Sequence, residues 1–416
     1  MEDTMFLKPY IELINIKNFR RVWLAQLLSG LGDSLYFISL MWLIWDTTKS
    51  TVHSGLYAIV YDIPQLLLGL WIGVVINRFK LKKVIVMSDL IRALGGFIVL
   101  IIIITGHFNI YILYGAILIE GIMLVICSPA TSSLIPKIVP KEKLETANAT
   151  SQLTNRIISV AGYGLGGLIY TSLGALFSII VNILSFLISA FLVNKVDQEI
   201  ENKQQNKLTL REDFKDGFIY LKTEPAIIII FAIGILMNVG GSPITILGPA
   251  YSEKVLHSGA TGYGLIQASW LVGMALGALV IGSRSRGKLW ITLSLGFFIQ
   301  GVAQFLFGLS NSLFFSIICI FIHGAFMSIA NIPLFSFVQR HVPEKQLPHV
   351  FSILGTVVMA VNPLAFAASG YLANVIGIQQ TYLLGSIFPV IATLLIVIPP
   401  WLRESEKNIS SKEVTL

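Results

Sequence analysis

IRALGGFIVLIIIITGHFNIYILYGAILIEGIMLVIC, residues 91–127, decides the fold. It holds two apolar runs joined by a turn of a few residues. A helix needs about 20 apolar residues to cross a bilayer core, and each run, taken with its flanks, supplies that length. The short turn makes the pair a tight helical hairpin. Working outward, the same pattern gives spans near 22–45, 53–76, 84–105, 108–128, 147–170, 174–194, 225–248, 259–282, 289–309, 312–335, 349–373 and 376–400. An all-α membrane protein of twelve transmembrane helices is therefore expected. The composition agrees: the 416 residues are 55% hydrophobic and only 12% charged, too little charge to cover a water-facing surface.

The basic residues give the spans a direction. Of 29 Lys and Arg, 25 fall in the two terminal segments and in the connectors after even-numbered spans. The opposite side has Lys49 and Lys254, and Arg92 and Arg156 lie within spans. Cytoplasmic loops carry the Lys/Arg excess, so both termini are expected in the cytoplasm of a multi-pass plasma-membrane protein. The net charge of +7 is read as this bias and not as a nucleic-acid footprint. No small-residue cleavage site follows a short apolar core near residue 21, so the first run is expected to remain as a span.

The two halves echo each other. VPKEKL begins at Val139 and VPEKQL at Val342, an offset of 203. Gly167 and Gly174 recur as Gly370 and Gly377 at the same offset, and Gly69 and Gly73 recur as Gly273 and Gly277 at 204. Six spans per half make the repeats parallel, related by an axis along the membrane normal. The expected organisation is a six-helix bundle over 1–194, a cytoplasmic linker with an amphipathic helix over 195–224, a second bundle over 225–402 and a cytoplasmic tail over 403–416. The GxxxG-type glycines Gly69, Gly273 and Gly277 are read as helix-packing positions.

Three stretches carry a family likeness. NFRRVWLAQLLSGLGDSL (18–35), GVVINRFKLKKVIVMSDLIRA (73–93) and PATSSLIPKIVPKEKLETANA (129–149, echoed at 339–352) resemble the major facilitator superfamily. The likeness is to its drug-efflux branch, which includes macrolide exporters and the enterobactin exporter. It implies a secondary active transporter working by alternating access, with efflux driven by protons. It also implies a cytoplasmic latch in loop 2–3. Gly73, Arg78 and Lys82 match that signature, Asn77 stands where Asp is usual, and Asp89 is available to pair with Arg78 or Arg92. Setting topology is the alternative role for these basic residues. GYGLGG, residues 162–167, resembles the family's antiporter signature with Tyr163 in place of Pro. Gly162, Gly166 and Gly167 read equally as a close-packing face.

Ionisable groups inside a bilayer are costly and mark function. Asp33, Asp62, Glu120, Arg156 and His323 lie at mid-depth by helix rise. In the family, spans 1, 4, 7 and 10 line the central cavity, which would place Asp33 and Glu120 on it. Either is a candidate proton carrier, with Arg156 as the counter-charge, and a static ion pair is the competing reading. For Asp62, next to Pro64, structural and functional roles are equally open. His323 is a candidate for titration near neutrality or for plain hydrogen bonding. The surplus of acids favours a cationic or zwitterionic substrate.

Other chemistry is not expected. GSRSRGKL, residues 282–289, nearly matches a phosphate loop, but Leu289 replaces the Mg²⁺-holding Ser or Thr and an apolar helix precedes it. No HExxH or GxSxG motif occurs. Cys127 and Cys319 sit far apart in apolar runs, against a disulfide or zinc site. The expected partners are the lipid bilayer, a small-molecule substrate and protons, without nucleic acid, cofactor or metal, in a monomer. A nutrient importer or facilitator and an integral-membrane enzyme are the alternatives.

Overall fold

The computed structural model describes residues 12–76, 79–197, 225–283, 288–342 and 347–398. Asn77 and Arg78 of the expected latch lie outside the described residues. So do the linker from 198 to 224 with its amphipathic helix, the phosphate-loop-like residues 284–287 and the tail 403–416.

The described elements are helical. In chain order they are α1 (Lys17–Thr48), α2 (Thr51–Ile76), α3 (Leu81–Ile104), α4 (Ile110–Ile138), α5 (Leu144–Asn194), α6 (Pro225–Ile246) and α7 (Gly248–Lys254). They continue with α8 (Gly259–Ser283), α9 (Leu289–Leu309), α10 (Leu313–His341), α11 (Leu347–Val375), α12 (Ile378–Gly385) and α13 (Ile387–Val397). A 3₁₀ turn, Lys141–Lys143, precedes α5. Ten helical segments are long and apolar enough to cross a membrane among the described residues. With α2 and the break inside α5, they are consistent with twelve crossings.

Two expected boundaries move. Residues 129–138, read as loop, continue α4 through Pro129 and Pro136. Pro129 and Pro136 remove the donors that the Val125 and Ser132 carbonyls would have in a regular helix. Thr131 Oγ and Ser132 Oγ turn back on the same helix, donating to the Cys127 carbonyl at 2.9 Å and to that of Ser128 at 3.1 Å. The fifth and sixth spans are joined without a loop: α5 breaks only at Gly174, with φ 76° and ψ 175°. Its repeat mate Gly377 has φ 99° and ψ 161° between α11 and α12. Both positions lie in a region open essentially to glycine alone, so the chain turns a corner in one residue.

That gives a clean test. A Cβ at Gly174 would meet nothing within 4 Å, so Gly174→Ala costs backbone strain alone. A loss of about 1–3 kcal/mol is expected, seen as a lower melting midpoint in detergent. Gly115 on α4, equally open but at no positive φ, should tolerate alanine with an unchanged midpoint.

The chain divides into two units. One comprises Met1–Lys49, Tyr57–Gln205 and Gly259–Ala268; the other comprises Ser50–Leu56, Asn206–Ser258 and Ser269–Leu416. Each follows the same internal scheme. In the first, α1 packs along α5, and α3 packs on α4 and on α5. In the second, α6 packs on α11, and α9 packs on α10 and on α13. The repeated glycines do matching work: Gly167 lies against the Ala260 carbonyl within the first unit and Gly370 against that of Thr51 within the second.

Candidate functional site

The first unit holds a buried charge cluster built from three helices. Gly32 on α1 lets that helix approach α5 so closely that a Cβ there would overlap Ser185 and stand 3.2 Å from the Asn182 Cα. This brings Asn182 Nδ2 within 3.1 Å of Asp33 Oδ1, to which it donates. Gly121 on α4 lies against the Tyr61 carbonyl of α2 and sets the neighbouring Glu120 facing inward. Between the two acids stands Arg92 of α3. Its Nη2 is 2.7 Å from Asp33 Oδ2 and 3.6 Å from Glu120 Oε1.

Arg92 is buried, its side chain 3% exposed, against 11% for Glu120 and 26% for Asp33. The Phe186 ring lies 4.0 Å from the guanidinium carbon, and Nε has no hydrogen-bond partner. One cation therefore serves two carboxylates. With both ionised the group carries a net negative charge where the dielectric is low, which is costly. A single proton on either acid removes that charge.

An aromatic layer lies one turn further along α1. Phe37 stacks on Tyr163 at 5.7 Å between centroids, with Tyr57 at 5.5 Å and Tyr61 at 6.3 Å. Tyr36 and Trp42 are 3% and 6% exposed and pack in the interior.

The structure redistributes the expected roles. Arg156 is exposed, and the cation between Asp33 and Glu120 is Arg92 instead. Arg92 is correspondingly absent from a surface latch, and so is Asp89, which is 2% exposed and accepts from Ser189 Oγ at 2.6 Å. Lys82 Nζ donates to the Val196 carbonyl at 3.0 Å, where a cation suits a helix C-terminus. Arg21 reaches the same end of the chain, donating to the Lys195 carbonyl and pairing with Asp197 at 3.3 Å. Asp62 is half-buried and stands outside the Arg92 group. Gly73 lies within α2. A Cβ at Gly162 would overlap Ser34 and one at Gly166 would lie 3.0 Å from Ile38 Cβ, so both lie at the α1–α5 contact. Gly273 and Gly277 lie against the Phe321 and Ala325 carbonyls of α10, whereas Gly69, among the described residues, faces only Gln65 of its own helix.

His323, in the second unit, is 2% exposed. Its Nδ1 lies 3.2 Å from the Gln300 carbonyl, which can only accept, and its Nε2 lies 3.3 Å from Gln300 Nε2, which can only donate. The ring is thus neutral with its proton on Nδ1, a hydrogen-bonding residue. Since Asp33 and Glu120 share Arg92, the surplus of free acids behind the expected cationic substrate is smaller than the sequence implied.

The role of Arg92 was obscured by the basic residues preceding it. Counting helix rise from Leu81 places it about 16 Å along α3, as deep as the acids. Asn182 and Gln300 gave no sequence signal, since uncharged amides are common at helix contacts. No group of three or more His, Cys, Asp or Glu able to hold a metal occurs among the described residues.

A family model described as transmembrane secretion effector matches residues 11–415. The MFS-type transporter YvqJ of Bacillus subtilis (strain 168) is 23% identical over 95% of this chain and 96% of its own. Macrolide efflux protein A of Streptococcus pyogenes is 22% identical over 94% and 96% respectively. Among solved structures, a bacterial homolog of the human lysosomal transporter Spinster, in an inward-facing and unoccupied conformation, superposes with a TM-score of 0.75. It covers 94% of this chain and 97% of its own at 14% identity. A bacterial homologue of the iron transporter ferroportin, in an inward-facing state, superposes with a TM-score of 0.74 at 18% identity, covering 94% and 99%. These structures share the fold.

Proposed function

We propose, for a chain that belongs to the transmembrane secretion effector family of major facilitator transporters, that it exports an amphipathic small molecule across the plasma membrane in exchange for protons. The observation that carries this reading is one buried arginine shared by a buried carboxylate, Glu120, and a half-buried one, Asp33, the three on different helices. Arg92 cannot satisfy both acids fully. Glu120 is the less well paired acid, 3.6 Å from Arg92 Nη2 against 2.7 Å for Asp33. Protonating Glu120 leaves Arg92 to Asp33, and releasing that proton draws Arg92 back towards Glu120. The helices bearing the three groups thus gain or lose a tie with each proton. A proton that binds differently in two conformations shifts the equilibrium between them, which is what coupling requires. The macrolide efflux relatives support the outward direction and an amphipathic cargo.

The test uses radiolabelled erythromycin and cells with and without the protein. Expression should lower accumulation, and a protonophore should abolish the difference. Glu120→Gln should remove gradient-driven export at least tenfold, while Asp33→Asn should impair it less. Higher accumulation on expression would make the protein an importer. Unchanged export in both variants would end the coupling assignment.

A further inference from the structure

Asp33 has both of its oxygens engaged. Oδ2 stands 2.7 Å from Arg92 Nη2, the length of a charge-assisted bond. Oδ1 accepts from Asn182 Nδ2 at 3.1 Å. Guanidinium and amide nitrogens donate and do not accept. A proton can therefore join Asp33 only by displacing one of two donors. Glu120 is held differently. Its Oε1 stands 3.6 Å from Arg92 Nη2, beyond hydrogen-bond range. A proton can join it there without displacing a donor.

Asn182 is 1% exposed on α5, and its backbone carbonyl accepts from Ser185 Oγ at 2.7 Å. The α1–α5 contact does not depend on its amide. Ser39 Oγ of α1 donates to Ser178 Oγ of α5 at 2.7 Å, and Trp23 Nε1 of α1 to Thr154 Oγ1 of α5 at 3.0 Å. Among the described residues, the titratable and charged groups around Asp33 are Arg92 and Asp89 of α3, Glu120 and Cys127 of α4, Tyr61 of α2, Tyr163 of α5 and Tyr36 of α1 itself. Arg92 is the one cation of that group, and Asn182 adds to Asp33 a donor that Glu120 lacks.

We propose that Asn182 is a positioning residue that reserves the cluster's exchangeable proton for Glu120. By holding Oδ1 it fixes the Asp33 carboxylate with Oδ2 towards Arg92. Asp33 then stays the partner of Arg92, and Glu120 is the group that a proton joins and leaves. The inference deepens the coupling reading and rests on it, but it concerns where the proton sits and its test needs no gradient.

The test is infrared difference spectroscopy of purified full-length protein in lipid nanodiscs, driven by pH steps. Cell-free synthesis supplies glutamate or aspartate carrying heavy carbon in the side-chain carboxyl. The label shifts the band of any protonated acid that bears it. In the parent, the band lost in Glu120→Gln should shift with labelled glutamate. In Asn182→Leu, the ratio of Glu-borne to Asp-borne proton should fall about tenfold, since one hydrogen bond to a charged group is withdrawn. The Asp share should vanish when Asp33→Asn is added. A merely structural role would lower the melting midpoint and leave that ratio alone. Asn182→Ala takes the place of the leucine variant should that one fail to fold. Three results would overturn the proposal: labelled aspartate shifts the parent band, a folded Asn182 variant keeps the parent ratio, or neither variant folds, which would make the residue structural. Gradient-driven export that survives Glu120→Gln ends the coupling reading and leaves the ratio test standing. Export that needs Glu120, beside an unmoved ratio, ends this inference alone.

Discussion

Replacing Arg92 by leucine is expected to have the largest effect of any single change in the charge cluster. The substitution leaves Asp33 and Glu120 facing each other without a cation. Removing one partner from a buried ion pair costs about 3–5 kcal/mol, and here two acids lose the same partner. The yield of monodisperse protein in detergent should fall sharply and export should vanish. Arg92→Lys should fold better but transport poorly, because a compact ammonium lacks the planar guanidinium face that packs on the Phe186 ring. The decisive variant is the triple change Arg92→Gln, Asp33→Asn and Glu120→Gln. It removes every charge together, so the folded yield should recover. Export should not recover, because no titrating group is left. If the triple variant still exports in response to a pH gradient, the proton is carried elsewhere, and Asp62 becomes the next residue to examine.

A second large effect is expected at Gly277. Its Cβ would run into the Ala325 carbonyl, and the neighbouring Gly273 position would meet that of Phe321. Both obstacles are backbone, which cannot swing aside as a side chain can. Gly277→Val should force α8 away from α10 and disturb the Trp270–Gly324 contact in the same interface. Overpacking costs about 1–3 kcal/mol where side chains can yield, and more is expected here. A collapsed size-exclusion peak would show it. Gly69→Ala makes the contrast. Among the described residues, the only atoms within reach of a Cβ there belong to the Gln65 side chain, which is flexible, so the melting midpoint should stay where it is. Equal damage from the two substitutions would mean that the glycines serve the same packing role after all.

That contrast shows how far the sequence could be read. Gly69 and Gly273 occupy equivalent places in the two repeats, and nothing in their neighbours along the chain separates them. Only the α8–α10 contact makes one of them irreplaceable. The charges give the same lesson. Asp33 and Glu120 stood out because carboxylates in apolar runs are conspicuous, and both lie in the buried cluster. Arg92 lies as deep as the acids but follows a run of basic residues, and Arg156, alone in its apolar run, was paired with them instead. Depth along a helix follows from counting residues. The direction a residue faces, and what it meets there, does not.

By itself the sequence determined that this is an all-α membrane protein and that it repeats itself. These properties are local or bulk. Hydropathy over about 20 residues sets a crossing, and a glycine such as Gly174 or Gly377 at a positive φ ends one. The tertiary structure decided which arginine stands between the acids and which glycines bear on a neighbouring backbone. Those outcomes depend on the rotation of each helix about its axis and on its approach to the next. Both come from the packing of residues scattered across several helices, and no single stretch of sequence records them.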